Sequence, residues 1–536
     1  MKVFKRRTPN LSLSPGMTGL LTALAAAQSI FQVGLAIASR YVIDAATQHA
    51  DTLLVWSLVL GGIVVILILL HSTIQWISRS VSDRCITKMQ HHLLQFTTQT
   101  PPDRLRDYHS GALLTRGMDD VRTVCDGMVR VVPTLFGQIL RLVGALVAVL
   151  ILCPKVAPVL LVAGAAVAIL TAAMRRISRQ LHRNVRKSEE LVSTAMQEDL
   201  RQLELIQSLQ IEDAILDRFD SKLKCSLQAK HKRRIWLVIV NTIIAALALA
   251  GTGALLIWGA VEVAKGNISF GTLTAMVQLV ALFRTPLTTL SSLWTQLAAV
   301  DVANDRLLEV LALAVDVTDA PTPTGKIQRI VFENVTFTYP GDAQPVLSDF
   351  SADLSLDQWV CLTGNSGIGK TTLFKLILGL YTPEKGQVYL QTTQGMFPCG
   401  TATRALFAYV PQDYALFSGT IAENLQLVAG NATEEDRKQA LHQAAADFVW
   451  ELKDGENTQV FENNAGLSMG QMQRLAIARA LLMDRPVLLL DECTSALDAA
   501  TEQAVLTNLQ AAGKQVILVS HHPDALGGEH TTFVEI

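Results

Sequence analysis

The sequence has 536 residues, long enough for two or three domains. Half of them are hydrophobic and only 17% are charged, against about 25% in soluble domains, so neither an all-soluble nor a disordered chain fits. The formal net charge of −2 excludes a global electrostatic basis for nucleic-acid binding, and no nucleic acid is expected as a partner.

The N-terminal MKVFKRRTPN precedes an uncharged run over residues 17–39. That run is too long for a signal-peptide core and reads as a retained membrane helix. Crossing about 30 Å of hydrocarbon takes about 20 apolar residues. Further candidates are 52–78, 131–154 with Arg141 inside it, 156–174, 235–261 and 268–290, the last interrupted by Arg284 and Pro286. Helices are expected, because backbone groups in lipid must be satisfied within the segment. Residues 79–122 hold seven Lys/Arg and 175–234 hold fourteen, while Lys155 and Lys265 lie in the alternate loops. The positive-inside rule makes the basic segments and the N-terminus cytoplasmic, so both ends of six crossings lie inside. The basic segments are long enough to project as helices into the cytosol, turning back near Tyr108, Ser110 and Gly111 and near residues 203–208.

These patterns predict a polytopic membrane domain over 1–312 and a Pro-rich polar linker over 313–326. Beyond it, over 327–536, strand-like and helical runs alternate as in a parallel α/β fold. Seven cysteines, Cys85, Cys125, Cys153, Cys225, Cys361, Cys399 and Cys493, show no CxxC or metal-ligand spacing. They read as small buried hydrophobes, with no disulfide framework expected.

Two motifs carry chemistry. The strand-like 359–363 runs into Gly364, Asn365, Ser366, Gly367, Ile368, Gly369, Lys370, Thr371 and Thr372, which fits GxxxxGK[ST] before a helical stretch. Glycines let backbone N–H groups turn inward around phosphates, and the helix N-terminus adds positive potential. In such a loop Lys370 reaches the β- and γ-phosphates and Thr371 meets Mg²⁺. The apolar run 487–490 ends in Asp491 and Glu492. A buried strand would deliver both carboxylates to the ligand-binding end of an open α/β sheet. Asp491 is then suited to hold Mg²⁺ through water, and Glu492 to polarise an attacking water.

With these motifs in place, residues 327–536 resemble the nucleotide-binding domain of ABC (ATP-binding cassette) transporters. Tyr339 matches the adenine-stacking aromatic, and Gln412 in YVPQ matches the Q-loop glutamine that senses Mg²⁺. Ser468, Gly470 and Gln471 in LSMGQ match the signature sequence, 495–498 the D-loop, and His521 the switch histidine. The membrane part resembles the exporter-type six-helix domain in its loop lengths. The resemblance implies a P-loop ATP hydrolase coupled to transport, with ATP and Mg²⁺ as cofactors. It assigns catalytic roles to Glu492, His521 and Gln412, and Mg²⁺ contacts to Thr371, Gln412 and Asp491.

In that family the signature of one ATPase domain closes over nucleotide held by its partner's P-loop. A second copy or a related half transporter is therefore the expected partner. The implied location is multi-pass in a bacterial plasma membrane, with the ATPase domain in the cytoplasm. The solute is unknown, and a hydrophobic or amphipathic one suits the exporter-type domain. An exporter-fold importer and an ATP-gated channel or regulatory subunit share the same motifs, whereas six membrane runs exclude a soluble ABC ATPase.

Three departures stand out. Met469 replaces the first glycine of LSGGQ, which predicts tuned rather than lost activity. The short stretch after His521 predicts that the usual C-terminal strands and helix are truncated. No peptidase-like segment precedes the first helix, which argues against a peptide-processing exporter. Candidate solute-path residues are Gln28, Gln32, Gln138, Arg141, Asn241 and Gln278; polar groups at membrane depth either face a cavity or hydrogen-bond between helices.

Overall fold

The computed structural model describes residues 15–48, 50–105, 108, 110–313, 321–365, 367–413, 416–460, 466–520 and 531–536. Two compact units emerge, one of residues 1–93 with 114–311, the other of 94–113 with 312–536.

The first unit is built from long helices: α1 (Pro15–Gln48), α2 (Leu53–Gln99), α3 (Gly111–Leu152), α4 (Ala157–Arg201), α5 (Glu212–Ala264) and α6 (Phe270–Leu311). Among the described residues α1, α2, α3 and α5 each carry an apolar window long enough to cross a membrane, and α6 has a shorter one over Phe270–Phe283. That apolar stretch stops just before Arg284 and Pro286, where the run was expected to be interrupted, while the backbone stays helical through both. Membrane helices tolerate proline where neighbouring groups take up the freed carbonyl. The α4–α5 turn holds a short helix, Leu203–Leu209, stopped by Gln210 in the left-handed region.

Small residues set how closely α1, α3 and α6 approach. Ser29, 1% exposed, donates to the Gly137 carbonyl at 2.8 Å, and a Cβ on Gly137 would stand 3.2 Å from the Cβ of Ala25. Ala36, Ala145, Ala148, Met276 and Leu279 continue this seam. Without a hydrophobic driving force in lipid, such close backbone packing is what holds helices together. Two π-helical turns, Arg116–Asp120 and Gly127–Val131, interrupt α3, and a Cβ on Gly127 would overlap Val300 of α6. Helix α4 packs on α5, where the Trp236 indole donates to Ser178 at 2.9 Å and Lys230 pairs with Glu189 at 3.0 Å. Arg40, a further cation beyond Lys155 and Lys265 on that side of the chain, lies within α1, 3.4 Å from Asp44. Asp44 in turn accepts from Ser269 and from the Gly271 N–H at the start of α6.

Among its described residues the second unit contains three sheets. A five-stranded parallel sheet has the order β11-β3-β10-β9-β6, with β3 (Trp359–Thr363), β6 (Phe407–Val410), β9 (Val487–Asp491), β10 (Gln515–Val519) and β11 (Thr531–Glu535). A four-stranded antiparallel sheet, β2-β1-β4-β5, joins β1 (Ile327–Phe337), β2 (Leu347–Ser355), β4 (Lys385–Thr392) and β5 (Gly395–Pro398), an addition to the parallel fold expected from sequence. The short β7 (Gly419–Thr420) pairs with β8 (Gln459–Val460). Helix α7 (Lys370–Ile377) is buried between the two larger sheets, through Leu373, Phe374 and Ile377 against Phe332, Leu362 and Leu489. On the other face of the parallel sheet, Leu488, Leu490 and Leu518 pack with α8 (Ile421–Gln426), α9 (Glu434–Gln443), α10 (Met469–Leu482) and α11 (Ala499–Ala511). Burial on both faces explains why 487–490 reads as an unbroken apolar run rather than an alternation.

Two expectations change. Strand β11 is present and runs parallel to β3, with the Ile536 N–H donating to the Thr363 carbonyl at 3.0 Å, so a C-terminal strand is retained. The extended chain finds its hydrogen-bond partners on the open edge of β3. Cys225 is exposed on α5 rather than buried, because that stretch of the helix is polar and presents it outward; no metal-binding cluster occurs among the described residues.

Candidate functional site: a phosphate loop beside paired carboxylates

Three parallel strands aim their C-terminal ends at one place: β3 leads to the glycine-rich loop, β9 to Asp491 and Glu492, and β6 to Gln412. Gly364, Gly367 and Gly369 have φ of 142°, 84° and 113°. Side-chain-bearing residues rarely adopt such values, so the loop's curl depends on glycine there. A Cβ on Gly369 would also sit 3.0 Å from Leu347. Lys370 is 5% exposed, and its ammonium donates to the carbonyls of Gly364 at 2.8 Å and Asn365 at 3.0 Å. The loop thus holds the lysine's charge above the N-terminus of α7. Ser366 lies outside the described residues, while Ile368 is part of the exposed rim.

Asp491 is fully buried. Its Oδ2 accepts from the Tyr409 hydroxyl at 3.2 Å, and its Oδ1 has no hydrogen-bond partner. Burial pushes its pKa up, opposed by the hydroxyls of Thr371 and Tyr409; Glu492 raises it further. Burial, then the neighbouring Asp491, pushes the Tyr409 phenol up as well, so it stays a donor. A buried carboxylate with an unused oxygen beside a threonine hydroxyl is a donor set suited to a hard divalent cation. Thr371 and Asp491 therefore fit Mg²⁺.

Glu492 has φ 50°, rare for a residue with a long side chain. Such strain collects at functional positions. Its Oε2 accepts from the Gln412 amide at 2.7 Å, so the two side chains meet. Tyr339 bonds through its hydroxyl to Thr372 at 3.0 Å and packs edge-on to Tyr381 at 5.4 Å. Lys375 stands 5.4 Å from its ring centroid.

The signature residues lie apart from this group. Ser468 caps α10, accepting from the Gln471 N–H at 3.3 Å, while Gln471 accepts from the Ser468 N–H at 2.8 Å, a reciprocal capping box. A Cβ on Gly470 would stand 2.9 Å from the Ala496 carbonyl, so this glycine lets α10 lie against the 495–498 segment. Among the described residues no hydrogen bond joins Ser468 or Gly470 to the glycine-rich loop. His521 lies outside the described residues.

Sequence reasoning missed three contributors. Tyr409 was legible only as a strand aromatic, Lys375 as a helix cation, and Gln473 as a polar residue on α10. Gln473 is completely buried, donating to Ser495 and accepting from the Ala496 N–H, both at 3.3 Å. A glutamine within a run that is otherwise buried was the available signal.

Residues 17–287 match the ABC transporter transmembrane region family, and 347–495 match the ABC transporter family. The chain belongs to the ABC transporters, with a helical membrane domain followed by an α/β ABC ATPase domain that binds ATP. It is an integral, multi-pass membrane protein. An ATP-dependent lipid A-core flippase of Mannheimia succiniciproducens is 26% identical over 532 residues, 97% of this chain and 90% of that protein. The mesentericin Y105 transport/processing ATP-binding protein of Leuconostoc mesenteroides is 33% identical over 62% of this chain. The chain spans about half the length of the transport/processing relatives, 46% of the mesentericin protein and 48% of ComA from Streptococcus pneumoniae. The solved structure of a bacterial Atm1-family ABC exporter with ATP bound superposes with a TM-score of 0.79 at 22% identity, covering 97% of this chain and 93% of that one, a likeness of fold.

Proposed function

We propose that this chain is half of an ATP-driven exporter, paired with a second copy or a related half, that moves a hydrophobic or amphipathic solute across a bacterial plasma membrane. The observation that carries the reading is buried Asp491, with one unused oxygen, beside Thr371 and the loop that holds Lys370. ATP displaces the Gly364 and Asn365 carbonyls as partner of the ammonium, so the charge is transferred to the phosphates. Gly364 to Thr372 cradle those phosphates, and Tyr339 stacks on the adenine. Thr371, Gln412 and Asp491 hold Mg²⁺, which when bound neutralises charge on the β- and γ-phosphates. Glu492 accepts the proton of the attacking water, and Gln412, already bonded to it, orients it. His521 contributes at the γ-phosphate end.

Ser468, Gly470 and Gln471, capped, held against 495–498 and with no hydrogen bond to their own loop among the described residues, suit nucleotide held by a partner. ATP-driven closure of two such domains biases a two-state membrane unit, and hydrolysis resets it. In that unit Gln32 Oε1, Gln138 Oε1 and Arg141 Nε are buried with no hydrogen-bond partner. Among the described residues these open atoms, two acceptors and one cationic donor, favour a solute head that carries both a hydrogen-bond donor and an anionic group. Asn241, by contrast, is exposed on α5.

The test is ATP-dependent accumulation of candidate amphipaths inside proteoliposomes whose ATPase domains face outward, with ATPase stimulation measured in parallel. Accumulation against a gradient supports export; ATP-gated equilibration that stops at equal concentrations overturns it in favour of a channel. Accumulation only in vesicles of the opposite orientation indicates import.

A further inference from the structure

Cys85 on α2 and Cys125 on α3 are 40 residues apart in sequence, yet their sulfurs stand 2.7 Å from one another. Both lie one or two helical turns beyond the apolar runs 52–78 and 131–154, in the basic segment between them that the charge pattern assigns to the cytoplasm. The pair is held in register from both sides. The Ser82 hydroxyl donates to Asp126 at 2.6 Å, and the Gln90 amide donates to the Gly117 carbonyl at 3.2 Å. Three successive contacts thus zip α2 to α3, with the thiols between two hydrogen bonds. No motif spacing flags them, and the ATPase chemistry does not use them.

We propose that Cys85 and Cys125 form a reactive dithiol that a low-molecular-weight disulfide oxidises to a cross-link between α2 and α3. The two sulfurs are not equivalent. The sulfur–sulfur contact lowers the Cys85 pKa, with Lys88 adding to it against burial and Asp126; the same contact, then burial, raises Cys125. Cys85 is 7% exposed and Cys125 fully buried. The order of steps follows. The Cys85 thiolate attacks one sulfur of the disulfide RSSR, forming Cys85–S–SR and releasing RS⁻. Cys125 then gives up its proton and attacks Cys85 Sγ, expelling the second RS⁻. The protein loses two electrons and the small disulfide gains them, leaving two RSH. Cytosolic disulfides of this kind are redox-responsive rather than structural.

The full chain in nanodiscs is exposed to glutathione disulfide, alkylated, digested and read by mass spectrometry. Expected is an equal loss of alkylation at positions 85 and 125, a cross-linked 85–125 peptide, and full recovery after reduction. Cys225, exposed on α5, serves as the internal control and goes no further than a mixed disulfide. Cys125→Ser should stop at a glutathione adduct on Cys85, and Cys85→Ser should leave Cys125 unreacted. Retained ATPase shows that each variant has folded, and Cys125→Ala replaces Cys125→Ser if it has not. Free thiols at 85 and 125 under conditions that modify Cys225, or separate adducts at both without a cross-link, overturn the proposal.

Discussion

At the ATPase site most polar side chains are engaged, Lys370 donating to its own loop and Gln412 to Glu492, with Asp491 Oδ1 left open. In the membrane unit Gln32, Gln138 and Arg141 each bury a polar atom with no partner. The first arrangement is a set of bonds that a ligand exchanges, around one carboxylate oxygen kept for a cation. The second is a debt of unsatisfied polar atoms, each worth about 1–3 kcal/mol, that an occupant relieves. The contrast separates recognition of a fixed ligand, whose phosphates are anticipated by backbone geometry, from recognition of a solute through a few groups left open.

The sharpest way to break that comparison is at the centre of the satisfied set. Glu492→Gln keeps the side chain's size and its reach to Gln412 but removes the base. ATPase turnover should fall by about 100-fold or more, with ATP still bound. Near-normal turnover in the purified variant would dismiss Glu492 as the base. Lys370→Ala should act on affinity instead. A charge-assisted bond to phosphate is worth about 1.5–3 kcal/mol, so ATP binding should weaken by about 10- to 100-fold in a direct titration. An unchanged dissociation constant would mean that the ammonium never leaves the Gly364 and Asn365 carbonyls.

The next prediction tests the open set. Arg141→Leu removes a cation from a span where an unpaired charge costs at least a few kcal/mol. The variant should insert and keep basal ATPase, and should lose stimulation by anionic amphipaths while that by neutral ones persists. Wild-type stimulation by both would leave Arg141 a structural residue only.

These sites differ in how far the sequence disclosed them. The glycine-rich loop, Asp491 and Glu492 were readable because their chemistry fixes residue type and spacing within short segments. Helices α1, α2, α3 and α5 were readable because lipid demands long apolar runs. Tyr409 beside Asp491, Lys375 beside Tyr339 and Gln473 beside the 495–498 segment were not, since each meets its partner only through the tertiary fold. Even the left-handed backbone of Glu492 leaves no mark in composition, where a glycine would have. The Cys85–Cys125 approach likewise depends on which turns of α2 and α3 face each other, and the π-helical turns of α3 on either side of Cys125 shift that phase away from simple periodicity.

The smallest expected effect concerns Met469, where the signature departs from its usual glycine. Met469 is the first residue of α10 and 59% exposed. It contributes little to its own unit's core, and Ser468 caps the helix without it. Met469→Gly removes a side chain from the surface proposed to close over a partner's nucleotide. It also introduces a residue that is poorer in helices by up to about 1 kcal/mol, less at a first turn. The two effects oppose each other: freer approach of the helix N-terminus to phosphate against a looser first turn. Turnover should therefore shift by no more than about fivefold. Gly470 allows no such latitude, because its Cβ would press on the Ala496 carbonyl, so Gly470→Ala in parallel should be the more damaging change. A Met469→Gly variant impaired more than Gly470→Ala would show that the methionine itself makes the contact across the dimer, and that the signature here works through an apolar side chain rather than the exposed end of a helix.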